Sequence, residues 1–187
     1  MYPAAEESLI SERDLKLKKG YVQVYTGNGK GKTTAAIGLA VRAVGAGLKV
    51  YIAQFMKNGH SSELKCLTKL TNDITIESFL VQDNLDVAIP DSHPESTGWQ
   101  TRIENIFYSH CYDIVILEEA NMAVMCGLAS PEDILNLMAT KPLSIELVIT
   151  GRYAHPKIIE KADLVTDMQE VKHYYRNGVK ARVGIEQ

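Results

Sequence analysis

The residues best suited to chemistry in this sequence form one glycine-rich stretch, Thr26-Gly27-Asn28-Gly29-Lys30-Gly31-Lys32-Thr33-Thr34. A β-rich run, residues 21–25, precedes the stretch, and apolar residues at helical spacing follow it. A strand, a glycine-rich loop and a helix with Lys-Thr at the junction are typical of a phosphate-binding loop. The pattern predicts that this stretch binds the phosphates of ATP, and the alternative is a glycine-rich turn without a ligand.

Each residue type in this phosphate loop has a physical reason to be there. Glycines let backbone N–H groups turn inward around phosphate oxygens, and the N-terminus of the following helix adds partial positive charge. Lys32 adds a full charge, and the Thr33 hydroxyl can ligate Mg²⁺ or Mn²⁺. The predicted nucleotide-binding residues are Gly27, Asn28, Gly29, Lys30, Gly31, Lys32, Thr33, Thr34, Arg42 and Arg152.

A second candidate element is the run 113–119, an apolar strand that ends in two carboxylates, Glu118 and Glu119. In phosphate-loop proteins an acid at this strand end reaches the metal, usually through water. Open α/β sheets bind ligands at the carboxyl ends of their strands, which favours a metal role over an acidic end facing solvent. We predict metal contacts at Thr33, Glu118 and Glu119 and catalytic roles for Lys32 and Glu119, although the pattern does not separate the two glutamates.

Other charged residues are weaker candidates. Arg152 follows a predicted strand at its carboxyl end, so it is well placed to meet the phosphates. Arg42, on the first helix, and Lys57, after the second strand, are each either a ligand or a solvated charge. His155 is interpreted as a surface or capping residue more readily than as a catalyst.

The elements that must position these residues alternate along the chain. The predicted strands are 21–25, 49–55, 73–79, 114–117, 143–149 and a closing pair, 164–171 and 179–185, around an Asn177-Gly178 turn. The predicted helices are 4–18, 33–44, 61–70, 99–110, one beginning at Ser130-Pro131, and 156–162. We therefore expect an α/β fold: a single P-loop NTPase-like domain, residues 20–187, with a mostly parallel sheet flanked by helices. Residues 1–19 are expected to form an N-terminal helical extension, and residues 81–98 a long loop.

Length and composition exclude several classes of protein. The chain has 187 residues, of which 45% are hydrophobic and 23% charged, as in one globular domain. A formal net charge of −3 argues against a general nucleic-acid binder. The cysteines, Cys66, Cys111 and Cys126, form no CxxC pair, so buried free thiols are expected. No stretch resembles a signal peptide or a membrane span, and we expect a cytoplasmic protein.

Beyond the phosphate loop, the sequence resembles the CobA/BtuR-type corrinoid adenosyltransferases over most of its length. The resemblance is carried by segments 27–36, 42–47, 54–57, 115–119, 148–152, 162–163, 171–173 and 178–185, together with Glu63 and His155. The C-terminal segments matter most, because a phosphate loop alone occurs in many unrelated enzymes. Two features depart from the family: a Phe-x-Trp segment is missing after Phe79, and Glu118-Glu119 replaces the usual Asp-Glu.

The resemblance implies transfer of the 5′-deoxyadenosyl group of ATP to the cobalt of cob(I)alamin or a related corrinoid, with release of triphosphate. Cob(I)alamin is itself a strong nucleophile, so the reaction needs no general base, and the sequence offers no evident one. The family holds ATP reversed relative to common P-loop ATPases, which exposes the ribose carbon.

The resemblance also implies partners and a second binding region. A homodimer is expected, with a reductase that supplies Co(I). The corrin is expected near residues 80–98, with Phe79 or Trp99 as candidate apolar contacts. A P-loop kinase or ATPase and a non-catalytic, ATP-dependent corrinoid carrier or regulator are the alternatives.

Overall fold

The computed structural model describes residues 17–56, 62–79 and 98–186. Short runs rich in β-branched and aromatic residues form six strands: β1 (Val22–Thr26), β2 (Val50–Phe55), β3 (Ile74–Phe79), β4 (Ile114–Glu118), β5 (Glu146–Thr150) and β6 (Leu164–Asp167). The strands form one sheet in the order β3-β2-β4-β5-β1-β6, and every pairing is parallel. The predicted α/β fold with a mostly parallel sheet is confirmed.

Helices cover both faces of the sheet. Neighbouring residues of a strand point to opposite faces, so each central strand contributes side chains to two hydrophobic cores. On one face, Ile52, Ile116 and Val148 pack against α1 (Lys32–Gly45) and α2 (Ser62–Leu70). The other face carries α3 (Trp99–Tyr108), α4 (Ala120–Met125), α5 (Pro131–Thr140) and α6 (Pro156–Lys161). Since all strands run in one direction, the carboxyl ends of β1, β4 and β5 meet at one edge, where the predicted site residues lie.

The helix predicted at Ser130-Pro131 is confirmed by its local chemistry. The Asp133 N–H donates to Ser130 Oγ over 3.1 Å, and the Ser130 N–H donates to Asp133 Oδ2 over 2.8 Å. This reciprocal pair satisfies two N–H groups that a helix start would otherwise leave unpaired. The serine, proline and acidic residues that predicted this helix therefore cap its start in the structure.

The predicted closing pair of strands is half wrong. Its first member is β6, which is shorter than expected, while residues 179–185 form no strand. After Asp167 the chain leaves the sheet and crosses the phosphate loop, where the Met168 N–H donates to Thr26 O over 2.9 Å. A 3-10 helix, Tyr174–Asn177, follows, and Gly178 and Gly184 turn the chain at positive φ.

Other expectations differ from the structure in smaller ways. Helix α4 was not predicted, and β5 begins at Glu146 rather than at residue 143. Cys66 and Cys111 are exposed and Cys126 is half-buried, so the expected burial of the thiols is wrong, although all three are free. The predicted N-terminal helix and the long loop 81–98 lie almost wholly outside the described residues. Among those residues, no helix is long and apolar enough to cross a membrane.

Candidate active site

The phosphate loop joins β1 to α1, and its backbone requires glycine at several positions. Gly27 and Gly31 adopt φ values of 94° and 118°, which L side chains rarely allow. A Cβ on Gly27 would lie 2.1 Å from Asp167 Oδ1, and one on Gly29 would lie 2.6 Å from Met168 O. Glycine thus serves both the turn and the close approach of the segment that follows β6.

Lys32 is the first residue of α1, and its side chain turns back over the loop. Although it is charged, it is only 7% exposed, and its amine donates to Gly27 O and Gly29 O, each over 2.7 Å. Burial lowers the pKa of Lys32 below its ordinary value, and the Arg152 charge lowers it further, against the opposing effect of Glu119 and Glu118. The structure therefore places one buried, positively charged amine at the centre of the loop.

Glu118, the last residue of β4, contacts the phosphate loop directly. It is 2% exposed, and its Oε1 accepts a hydrogen bond of 2.5 Å from the Thr33 hydroxyl. Its Oε2 accepts one of 2.5 Å from the Thr150 hydroxyl at the end of β5. The two glutamates therefore have different hydrogen bonds: the Glu118 carboxylate is joined to the loop through Thr33, whereas the Glu119 backbone, at φ 62°, donates its N–H to Thr150 Oγ1 over 3.0 Å.

Thr150 is a site residue that the sequence reasoning missed. It is fully buried and links both Glu118, the last residue of β4, and Glu119, which follows it, to β5. Its position, polar at the end of an apolar parallel strand and one strand away from the acids, is the signal that could have found it.

The remaining predicted residues divide into near and far groups. Arg152, exposed and just beyond β5, lies close enough for its charge to act on Lys32. Arg42 lies in the last turn of α1, about 15 Å along the helix axis from Lys32, and is not brought to the loop. Two residues of the motif face outward: the Lys30 amine donates to Ile185 O over 3.0 Å, and Thr34 is exposed. Lys57 falls outside the described residues.

His155 caps α6, as interpreted from the sequence. Its Nδ1 accepts the N–H of Lys157 over 3.3 Å. The segment that leads to it is tied back to the loop, because the Ala154 N–H donates to Thr26 Oγ1 over 3.2 Å. Thr26, which stands where the standard motif has glycine, therefore holds the β5 end against the start of the loop.

A cavity of about 470 Å³ opens beside the phosphate loop. Its floor is the start of the loop, and its walls come from the segments after β5 and β6. The lining residues are Thr26, Gly27, Asn28, Tyr153, Ala154, Asp167, Gln169, Glu170 and Arg176. Arg176 is held there by an ion pair with Glu170, with Nε 2.5 Å from Oε1.

The two aromatic residues suggested for the corrin have different settings. Trp99 is 2% exposed and packs edge-on against Phe55, with ring centroids 5.1 Å apart. Phe79 is half-buried and stacks on the same ring at 5.8 Å. The expectation that Trp99 offers an apolar face is therefore wrong in this structure, because its ring belongs to the core.

The comparisons with known proteins identify the family. The family model described as ATP:corrinoid adenosyltransferase BtuR/CobO/CobP matches residues 18–187. The chain belongs to this family. A corrinoid adenosyltransferase of Pseudomonas aeruginosa is 32% identical over 97% of this chain and 89% of its own length. Those of Escherichia coli K12 and Salmonella typhimurium are 33% and 32% identical, each over 90% of this chain and 86% of their own length.

Family membership confirms the resemblance that the sequence suggested, and it favours adenosyl transfer over a kinase or ATPase. The protein is an ATP:corrinoid adenosyltransferase, with ATP and a corrinoid as its substrates. The match covers the phosphate loop, the β4 acids and the segment after β6, so every element of the site lies within it.

Proposed function

We propose that the protein transfers the 5′-deoxyadenosyl group of ATP to the Co(I) centre of cob(I)alamin or a closely related corrinoid. The cobalt electron pair attacks C5′ of the ribose, a cobalt–carbon bond forms, and cobalt becomes formally Co(III). The bond between C5′ and its oxygen breaks, and triphosphate leaves with that electron pair. The nucleophile carries no proton to remove, so the protein must supply alignment and charge stabilisation.

The triphosphate is held by the phosphate loop, and Lys32 carries the main charge. The observation that supports this most directly is the buried Lys32 amine at the centre of the glycine loop. Triphosphate gains negative charge as the bond to C5′ breaks, so a fixed cation and inward N–H groups stabilise the leaving group. Arg152 adds positive charge on the β5 side, and the Glu119 carboxylate is close enough for its charge to act on Lys32. We do not include Arg42 in this site, because it lies at the other end of α1.

A divalent cation, Mg²⁺ or Mn²⁺, fits the residues beside the loop. The Thr33 hydroxyl donates its hydrogen bond to Glu118, which leaves the lone pairs of the hydroxyl oxygen available to a cation. Oxygen ligands and one or two carboxylates are what Mg²⁺ takes when it also binds phosphates. When bound, the cation offsets charge on the triphosphate. Glu118 then holds Thr33, and Thr150 holds Glu118.

The wider setting of the reaction is part of the same proposal. We infer a homodimer acting in the cytoplasm with a reductase that keeps cobalt as Co(I), as the sequence predicted. The corrin is expected to meet the ribose close to residues 80–98, with Phe79 as the remaining aromatic candidate. Residues 1–19 are expected to act as an extension of the 20–187 domain.

The test follows both products of labelled ATP with chemically reduced cob(I)alamin and Mg²⁺. We expect adenosylcobalamin and intact triphosphate, together with a loss of at least about 100-fold in rate for Lys32→Ala, since one well-placed charged group contributes that much. Lys157→Ala is the control, because Lys157 is an exposed lysine that forms an ion pair with Glu132 on α5. ADP and phosphate as the only products would refute the proposal. Tight binding of both substrates without product would instead indicate a non-catalytic carrier.

A further inference from the structure

Gln54 is a buried polar residue that the site described so far leaves unexplained. It lies near the carboxyl end of β2 and is 1% exposed. Among the residues that the structure describes, its Oε1 has no hydrogen-bond partner. A buried acceptor without a donor is unfavourable, so a donor is expected to reach it in the ligand-bound protein.

The sheet register puts Gln54 beside Glu118. The two residues are direct partners across β2 and β4, with Cα atoms about 4.8 Å apart in a sheet of this kind. Ile52 and Ile116 stand two residues earlier and pack on the α1 face, so the side chains of Gln54 and Glu118 project to that face too. Because Glu118 contacts Thr33 on α1, the Gln54 amide lies on the same side as the start of that helix.

We propose that Gln54 is a positioning residue for the divalent cation that accompanies ATP: its Oε1 accepts a hydrogen bond from a water on that cation. The proposal rests on the proposed function, because it needs a hydrated cation next to Thr33. Mg²⁺ keeps several of its waters when it binds phosphates, and those waters need acceptors. Each Glu118 oxygen already accepts a short hydrogen bond, and a neutral amide adds an acceptor without a second negative charge.

Gln100 provides a matched comparison within the same chain. Its Oε1 is also a buried atom without a partner among the described residues. It lies, however, in a groove between α3 and α5, on the opposite face of the sheet from α1. The two glutamines thus share the unpaired acceptor and differ in their distance from Glu118.

The experiment measures how strongly the cation assists ATP binding. Calorimetry gives the ATP dissociation constant with Mg²⁺ and with EDTA, and the ratio of the two measures the assistance. Gln54→Met keeps the length of the side chain and removes the acceptor. We expect this ratio to fall about tenfold, because loss of a residue that hydrogen-bonds to a metal ligand typically weakens metal binding by that much. The ATP dissociation constant in EDTA should stay at the parent value. Gln100→Met should leave both constants at the parent values.

The possible outcomes distinguish a failure of this inference from a failure of the proposed function. An unchanged ratio in a Gln54→Met variant that melts like the parent would overturn the inference. Equal weakening with Mg²⁺ and with EDTA would also overturn it, because the residue would then act without the cation. If the parent itself showed no preference for Mg²⁺ over EDTA, the metal role in the proposed function would fail first.

Discussion

Thr150 and Glu118 share a buried hydrogen bond of 2.5 Å, in which the Thr150 hydroxyl donates to Oε2 of the carboxylate. The same hydroxyl oxygen accepts the Glu119 N–H over 3.0 Å. One side chain on β5 therefore fixes the carboxylate at the end of β4 and the turn that follows it. Because Glu118 in turn holds Thr33, the phosphate loop is connected to β5 through two consecutive hydrogen bonds.

Replacing Thr150 with valine should break this connection while preserving side-chain shape. A hydrogen bond to a charged group contributes about 1.5–3 kcal/mol, so we expect the free energy of unfolding in urea to fall by that amount. MgATP affinity should fall as well, because Glu118 is no longer held towards Thr33. Thr150→Ser keeps the hydroxyl and should restore most of both. A serine variant as impaired as the valine variant would show that the methyl packing, not the hydroxyl, matters.

The charges around Lys32 should set the alkaline limit of ATP binding, which is the pH above which ATP affinity falls. Burial and the Arg152 charge lower the pKa of Lys32 in the free protein below its ordinary value of 10.5. As pH rises through this lowered pKa the amine loses its charge, so ATP affinity should fall at a lower pH than an ordinary lysine would dictate. Arg152→Gln removes one lowering influence and should move this limit to higher pH, whereas Glu119→Gln should move it to lower pH.

Calorimetric ATP affinities measured across the alkaline range would test that prediction. The overall affinity of each variant is expected to change too, so the comparison uses the pH at which affinity has fallen by half. A limit that moves in the same direction in the Arg152 and Glu119 variants would contradict the assignment of their charges to Lys32.

Trp99 should act through the core. Its ring packs on Phe55 and is almost completely buried, so Trp99→Ala should lower the free energy of unfolding by about 3–5 kcal/mol. Trp99→Phe keeps most of the packing and should recover a large part of that loss. Tyr175→Ala removes an aromatic ring that is 71% exposed and should change the stability in urea by about 0.5 kcal/mol or less. Equal losses in the Trp99 and Tyr175 alanine variants would contradict the core assignment.

Local patterns made much of this fold predictable. The loop at 26–34, the buried strand β4 and the capped start of α5 each have a signal within a few residues, in glycine spacing, apolar runs or capping chemistry. The error at residues 179–185 has a different origin. Val183 and Ile185 are β-prone but mostly exposed, and the chain has left the sheet before reaching them. Strand propensity alone does not tell whether a sheet edge is within reach.

Candidate site residues could be proposed from the sequence where one continuous segment carries the pattern. Lys32 and Thr33 were proposed because they belong to one glycine-rich motif, and the two glutamates because they end one apolar run. Thr150 and Gln54 were missed as site residues because their importance comes from register: β2 and β5 flank β4, which only the strand order reveals. Arg42 was placed in the site although helix length carries it away from the loop.

The Gly29 N–H donates to Met168 O over 2.5 Å, so one amide of the phosphate loop is bound to the segment that follows β6. A phosphate loop holds its ligand through such N–H groups, and MgATP should therefore displace the Met168 carbonyl. In ¹⁵N-glycine NMR spectra the Gly29 amide should shift strongly when MgATP is added, and hydrogen exchange should become faster in residues 168–178.

A Gly29→Ala variant tests the same relationship without a ligand. The added Cβ would lie 2.6 Å from Met168 O and 2.8 Å from Gln169 O, so the segment must move away from the loop. We expect hydrogen exchange in residues 168–178 of this variant to be fast already in the absence of MgATP, and to change little on its addition. A Gly29 amide that stays unchanged at saturating MgATP, while the Gly31 amide shifts, would mean that ATP binds without releasing Met168.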